Sequence, residues 1–205
     1  MSRIDDFKMA MSGGGLRPNL FRVRGNFPGG ATGPLGTALG AIAGAVGGDA
    51  GDALGGAANL LGGGGPARKL EFLCKAAAIP ASTLGSVAVP YRGRQVKIPG
   101  DRTFEDWTIT ILEDTDFSIR DAFERWSNAI NSHRENIGTT SLLQIGQRWE
   151  VDQLDRSGSV LRTYTIEDCF PTSIAEIPLS MESNDAISEY SVTLAYSYWT
   201  SASTT

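Results

Sequence analysis

The sequence is short of the side chains that most protein chemistry requires. Its 205 residues include one histidine, His133, and two cysteines, Cys74 and Cys169. A lone histidine without a Cys, His or Asp at ligand spacing is a surface residue more often than a general base or a metal ligand. Two distant cysteines with no CxxC partner form neither a disulfide framework nor a zinc site, and they read as buried, reduced thiols. No G-x-S-x-G nucleophile elbow is present, and no phosphate-binding G-x-x-x-x-G-K-[ST]. The N-terminus, "MSRIDDFKMAMSGGGLRPN", has no apolar signal core, and no run of about 18 strongly apolar residues could span a bilayer. The expectation is a protein kept inside the cell that makes it, with no membrane partner. Cations are also scarce: 18 Lys and Arg stand against 23 Asp and Glu, a net charge of −5. That balance argues against a protein that binds nucleic acid through a basic face.

Glycine is abundant, and it is concentrated. Fifteen of the 25 glycines fall in 29–65, thirteen of them within "GPLGTALGAIAGAVGGDAGDALGGAANLLGGGG". The nearest dinucleotide-type match, Gly62-x-Gly64-x-x-Ala67, precedes a predicted strand where that fingerprint must open a helix. "GGDAGDAL" is a single imperfect calcium nonapeptide, too little for a repeat solenoid. Within the tract Leu35, Leu39, Ile42 and Val46 keep helical spacing, and Gly36, Gly40, Gly44 and Gly48 form a small-residue face. Leu54, Ala58 and Leu61 suggest a second short helix ending at Gly62–Gly65. Removing the tract leaves about 165 residues, the size of one typical domain.

The remainder alternates with a period of two, the signature of half-buried strands. Leu20, Arg22 and Arg24 oppose Phe21 and Val23. In "RKLEFLCKAA" Leu70, Phe72 and Cys74 oppose Glu71, Leu73 and Lys75, which predicts a strand. By its composition the tract first reads as a linker between these two segments, 19–25 and 68–76. "AIPASTLGSVAVP" is expected to be a loop. It is followed by "YRGRQVKIPG", with Val96 and Ile98 on one side, and by "TFEDWTITILED", with Trp107, Ile109 and Ile111 against Thr108, Thr110 and Leu112. "QRWEVDQLD" and "SVLRTYTIEDCF" flank a hairpin turn centred on Ser157-Gly158. The closing strand sets Tyr190, Val192, Leu194, Tyr196 and Tyr198 against Ser191, Thr193, Ala195 and Ser197. One stretch, "SIRDAFERWSNAINSH", carries Ile119, Phe123, Trp126 and Ile130 as a helical stripe with Ser118 as N-cap. The acidic neighbours Glu105/Asp106 and Glu113/Asp114 lie on or beside strands, point to opposite faces and read as solvated charge. The fold class expected is mainly β: an antiparallel β-sandwich or barrel with one amphipathic helix.

Several segments together resemble the tail tube proteins of contractile-tailed, T4-like bacteriophages. They are "RPNLFRV", "FLCKAAAIPA", "GRQVKIPGDRTFEDWTITILED", "FERWSNAI" and "YTIEDCFPTSIAEIPLSMESNDAISEYSVTLAYSYW", in that order. The resemblance covers nearly everything from Arg17 to Trp199 except the tract. It implies a single tail tube domain over 1–205, of the Hcp-like fold, with residues 29–66 as a Gly/Ala-rich insertion replacing the tip of one hairpin whose arms are 19–25 and 68–76. It implies six-fold rings that stack into the inner tube of a virion tail, a structural role with no enzyme activity and no cofactor. The partners implied are other copies of itself, the tail sheath protein, the tape-measure protein, and the baseplate and tail terminator proteins, with DNA passing through the lumen without specific binding.

Under that resemblance the small polar set Thr108, Thr110, Ser191, Thr193 and Ser197 is expected to face the lumen, with Glu105 or Glu189 as acidic contributors. Arg92, Arg94, Gly100, Asp101 and Arg102 are expected at intersubunit contacts, on the long loop 79–100 and the turn that follows it. A local turn role for Asp101 and Arg102 is the alternative. The tract is expected on the outer surface or between rings, because six copies would obstruct the bore. Two other readings remain open: the inner tube of a contractile injection or type VI secretion system, and a monomeric β-barrel ligand-binding module.

Overall fold

The computed structural model describes residues 4–11, 15–28, 66–139, 141 and 145–204. The helices expected within the glycine-rich tract lie outside the described residues. In chain order the elements are α1 (Ile4–Ala10), β1 (Phe21–Gly25), α2 (Pro66–Leu73), β2 (Cys74–Ala77), β3 (Thr83–Tyr91) and β4 (Arg94–Thr103). They continue with β5 (Trp107–Leu112), α3 (Ser118–Ile130), β6 (Gln147–Leu154), β7 (Val160–Ile174), β8 (Glu189–Ala195) and β9 (Tyr198–Ser201).

Seven strands form one antiparallel sheet in the order β1-β6-β7-β8-β5-β2, with β9 added beside β7. The 15-residue β7 belongs to two layers. Its first half lies between β6 and β9, and its second half pairs with β8. The change of layer occurs at a bulge, where Trp149 faces Ile166 but Gln147 faces Cys169. Asp168 takes φ 58 there, a left-handed conformation that Asp tolerates better than bulky residues. The sheet therefore folds over on itself, as the expected sandwich requires.

The core lies between the layers and α3. The alternation of β5 and β8 is realised as far as Leu194: Trp107, Ile109, Ile111, Tyr190, Val192 and Leu194 are buried, whereas Tyr196 follows the end of β8 and Tyr198 lies in β9, exposed. Ile119, Ala122, Phe123 and Trp126 bring the apolar face of α3 onto them. Trp149 is fully buried among aromatic rings, with centroids 5.7 Å from Phe27, 5.8 Å from Phe123 and 6.0 Å from Trp107. A Cβ on Gly25 would come within 2.6 Å of the Trp149 ring, so the indole demands glycine at the end of β1.

On the other face of this layer a carboxylate is sealed under cations. Asp152 is fully buried, yet it sits on the side of β6 away from the aromatic core. Its Oδ2 accepts from Arg22 Nε and Nη2 at 3.2 and 3.0 Å, and its Oδ1 accepts from Arg24 Nη2 at 3.1 Å and Thr163 Oγ1 at 2.7 Å. Burial alone would raise its pKa, but these donors outweigh that and hold it below the ordinary aspartate value.

Four expectations are corrected. Residues 68–73 form a helix, not a strand. Leu70 is buried and Leu73 half-buried at i, i+3, while Phe72 is exposed. The two expected hairpin arms do not pair, since β1 pairs with β6 and β2 with β5. The N-cap of α3 is Phe117, at φ 53, and Ser118 is the first helical residue. The Ser118 N–H is satisfied by Asp116 Oδ1 at 3.2 Å, so an aspartate two residues upstream does the capping. The β6–β7 turn is closed by Gly158 N–H donating to Asp155 C=O at 2.9 Å, which centres it on Arg156-Ser157.

Candidate assembly surfaces

Two exposed surfaces carry the residues singled out from the sequence. The first is the outer face of the β5–β8 pair. Register places Thr108 opposite Thr193 and Thr110 opposite Ser191. Because strand side chains alternate, all four lie on the face opposite the buried tryptophan, isoleucine and valine side chains. Their hydroxyls satisfy one another: Thr108 Oγ1 and Thr193 Oγ1 are 3.2 Å apart, and Thr110 Oγ1 and Ser191 Oγ are 3.4 Å apart. Thr172 Oγ1 extends the row by donating to the Thr193 carbonyl at 3.1 Å. Glu189 ends the row opposite Leu112, in an ion pair with Lys75. The result is a polar surface whose one carboxylate is matched by a cation. Ser197 is not part of it. It falls in the break between β8 and β9, where its N–H donates to the Glu167 carbonyl at 3.1 Å. Glu105 is exposed in the link between β4 and β5.

The second surface is a two-stranded ribbon. Residues expected to be a loop, 79–100, form most of an antiparallel hairpin of β3 and β4. Pro80, Pro90 and Gly85 suggest a loop, but Pro90 sits on a two-stranded edge where a missing N–H is tolerated. Arg92 and Gly93 turn the chain with φ 43 and 81, the two left-handed residues a tight I′-type hairpin turn needs. Arg92 lies at the tip with its guanidinium 5.5 Å from the Tyr91 ring centroid, and Arg94 faces Tyr91 across the ribbon. Asp101 and Arg102 are strand residues of β4, not a turn. Arg102 pairs with Leu84, and Gly100 packs against the Gly85 backbone. The structure thus brings all five expected contact residues onto one ribbon, three at its base and two at its tip.

The ribbon is amphipathic without a core beneath it. Val87, Val89 and Tyr91 share a face with Ile98 and Val96, and Ser86, Ala88, Lys97 and Gln95 share the other. Val87 and Val96 are about half exposed, at 56% and 52%. Its base is tied to the body at Ala81, whose carbonyl accepts from Tyr196 Oη at 3.3 Å and Trp199 Nε1 at 3.2 Å.

Neither surface assembles reactive groups. His133 is exposed in the turn after α3, where its N–H donates to Asn128 Oδ1 at 3.1 Å. Burial pushes the Cys74 and Cys169 thiols up to about 12, so both stay protonated and poorly nucleophilic at neutral pH. Among the described residues no three His, Cys, Asp or Glu side chains gather at metal-binding distance. No helix among them is long and apolar enough to cross a membrane.

Sequence and structure comparisons place the chain among known proteins. The tail tube protein gp19 of Enterobacteria phage T4 is 32% identical over 129 residues, covering 62% of this chain and 79% of that protein. A tail tube protein of Serratia phage KSP90 is 26% identical over 117 residues, covering 57% of this chain and 66% of its own length. A chain from the anti-feeding prophage baseplate superposes with a TM-score of 0.49 at 11% identity, over 62% of this chain and 79% of that one. The family model described as phage tail tube protein matches residues 16–202, from the segment before β1 to the end of β9. On that match the chain belongs to the phage tail tube protein family.

Proposed function

We propose that copies of this chain close into six-membered rings, that the rings stack into the inner tube of a contractile phage tail, and that the β5–β8 hydroxyl face lines the bore. The observation that carries the bore assignment is the cross-strand row Thr108–Thr193 and Thr110–Ser191, whose hydroxyls bond to one another on the solvent face of the sheet. A conduit for DNA must offer phosphates no excess of cations, because each neutralised phosphate adds to binding and slows passage. A row of mutually bonded hydroxyls ending in a matched Lys75–Glu189 pair meets that condition.

In this reading the tube holds the tape-measure protein until the sheath contracts and DNA then passes without specific binding. The sheath protein surrounds the tube, and baseplate and terminator proteins close its ends. The ribbon of β3 and β4, with Arg92, Arg94, Gly100, Asp101 and Arg102, reaches a neighbouring subunit. An isolated two-stranded hairpin is marginal in water, so the exposed apolar face of Val87, Val89, Val96 and Ile98 is stable only when something covers it. The role asks for no covalent chemistry.

Thiol accessibility tests the bore assignment. Thr193→Cys should react with a small maleimide in both free subunits and intact tubes, but with a bulky polymer maleimide only in free subunits. Equal reaction of intact tubes with the bulky reagent places this face outside and overturns the assignment.

A further inference from the structure

The ribbon has one charge character and another exposed region has the opposite. Residues 83–103 hold four cations, Arg92, Arg94, Lys97 and Arg102, against the single anion Asp101. The segment between β7 and β8 holds three carboxylates, Glu176, Glu182 and Asp185, and no cation. None of these eight side chains has an ion-pair partner among the described residues. In a chain of net charge −5, the ribbon is a local excess of positive charge.

The same segment also exposes apolar side chains. Leu179 is 89% exposed, Met181 97% and Ile187 70%. Beneath it lies an open cleft of about 660 Å³, floored by Leu112 and walled by Pro178, Leu179, Ile187 and the Lys75–Glu189 pair. Large unpartnered apolar side chains rimmed by charge mark interaction surfaces. Asp185 is the lining carboxylate outside the Lys75–Glu189 pair, Glu182 stands three residues before it in the same exposed segment, and the ribbon offers an apolar face rimmed by arginines.

The two surfaces lie at different places on one molecule. The cleft adjoins the Leu112–Glu189 end of the β5–β8 pair, and the ribbon is anchored at Ala81, near the Trp107–Leu194 end. Those ends are about 17 Å apart along the strands. In one molecule β3 and β4 pair only with each other and no ribbon residue lines the cleft, so both surfaces are open to a second copy. The contact is therefore heterologous, with ribbon on one side and cleft on the other, the type that generates rings and stacks in place of isolated dimers.

We infer that the β3–β4 ribbon of one copy seats in the acidic cleft under residues 175–189 of the next, with Arg92 and Arg94 meeting Glu182 and Asp185 and the valine face covering Leu179 and Ile187. This rests on the tube reading and names the surface that receives the ribbon.

The test uses the full chain. Arg92→Glu with Arg94→Glu, and separately Glu182→Lys with Asp185→Lys, should each raise the protein concentration needed for tube formation by tenfold or more. All four changes in one chain should restore assembly, because the charges then match again. A second variant, Val89→Cys with Ile187→Cys, should give disulfide-linked ladders between chains when assembled tubes are oxidised. Tubes that form normally yet show neither the charge rescue nor the ladders overturn this pairing and leave the tube reading intact. A disulfide closed within one chain also overturns it. If the unmodified chain forms no ring or tube under any condition, the tube reading fails and the pairing fails with it.

Discussion

The sheet body and the β3–β4 ribbon are both built from alternating strands, but they differ in what the alternation serves. In β5 and β8 the apolar set is buried to the last residue, and the polar set bonds to itself across the strands. In the ribbon the same period of two yields an apolar face that nothing in the described chain covers. The core under β5 and β8 closes within one molecule, whereas among the described residues nothing covers the ribbon's apolar face. Alternation reports that a face is to be buried, and it does not say by which chain.

That contrast can be pressed from the body's side first. Asp152→Ala removes the acceptor from two part-exposed guanidiniums, which keep Glu71 and Glu150, and from a hydroxyl, and should cost about 1–3 kcal/mol of subunit stability, read as a lowered denaturant midpoint with unchanged slope. Gly25→Ala forces a methyl into the Trp149 ring and should cost about 1–3 kcal/mol, as overpacked cores do.

Acid should act through the same carboxylate. The folded pKa of Asp152 lies below its unfolded value, so its stabilisation is fully present above the ordinary aspartate range and is lost as pH falls through the folded value. Stability should therefore be level from pH 7 to about pH 5 and decline below about pH 4. In Asp152→Asn the starting stability should be lower and the acid decline shallower. An unchanged acid slope would show that other carboxylates dominate.

The ribbon should behave in the opposite way. Val89→Ser with Val96→Ser changes half-exposed side chains and should shift subunit stability by less than about 0.5 kcal/mol. The same pair should abolish tube formation in sedimentation. A variant that weakened the subunit as much as Gly25→Ala would mean that the ribbon is part of the body after all.

Much of the body was legible in the sequence because its strands and α3 are long enough to show one period clearly. Trp107, Ile109, Ile111, Ile119, Phe123 and Trp126 are inside as their spacing demands. Four of the five residues expected at the lumen share one sheet face, since strict alternation fixes a face. Ser197 escaped because the chain leaves β8 before reaching it, and "AYSYW" carries no mark of the break. Residues 68–73 were misread because Leu70, Phe72 and Cys74 fit a period of two while Leu70 and Leu73 fit a helix. Six residues cannot separate the two periods, and Pro66 at the first helical turn was the cue that favours a helix. The expected pairing of 19–25 with 68–76 failed for a related reason: adjacency in sequence, ignoring the tract, is a weak guide when β6 offers Val151 and Trp149 as better partners for β1. The Asp152 cluster was not legible at all, because two arginines and an aspartate 130 positions from Arg22 give no local pattern.

A reconstruction of the assembled tube at side-chain resolution tests the central claim most directly. The account predicts six subunits per ring, with Thr108, Thr110, Ser191 and Thr193 of every copy facing the bore and each β3–β4 ribbon ordered against a neighbouring subunit. A tube whose β5–β8 face points outward, or whose ribbons project free into solvent, would contradict it.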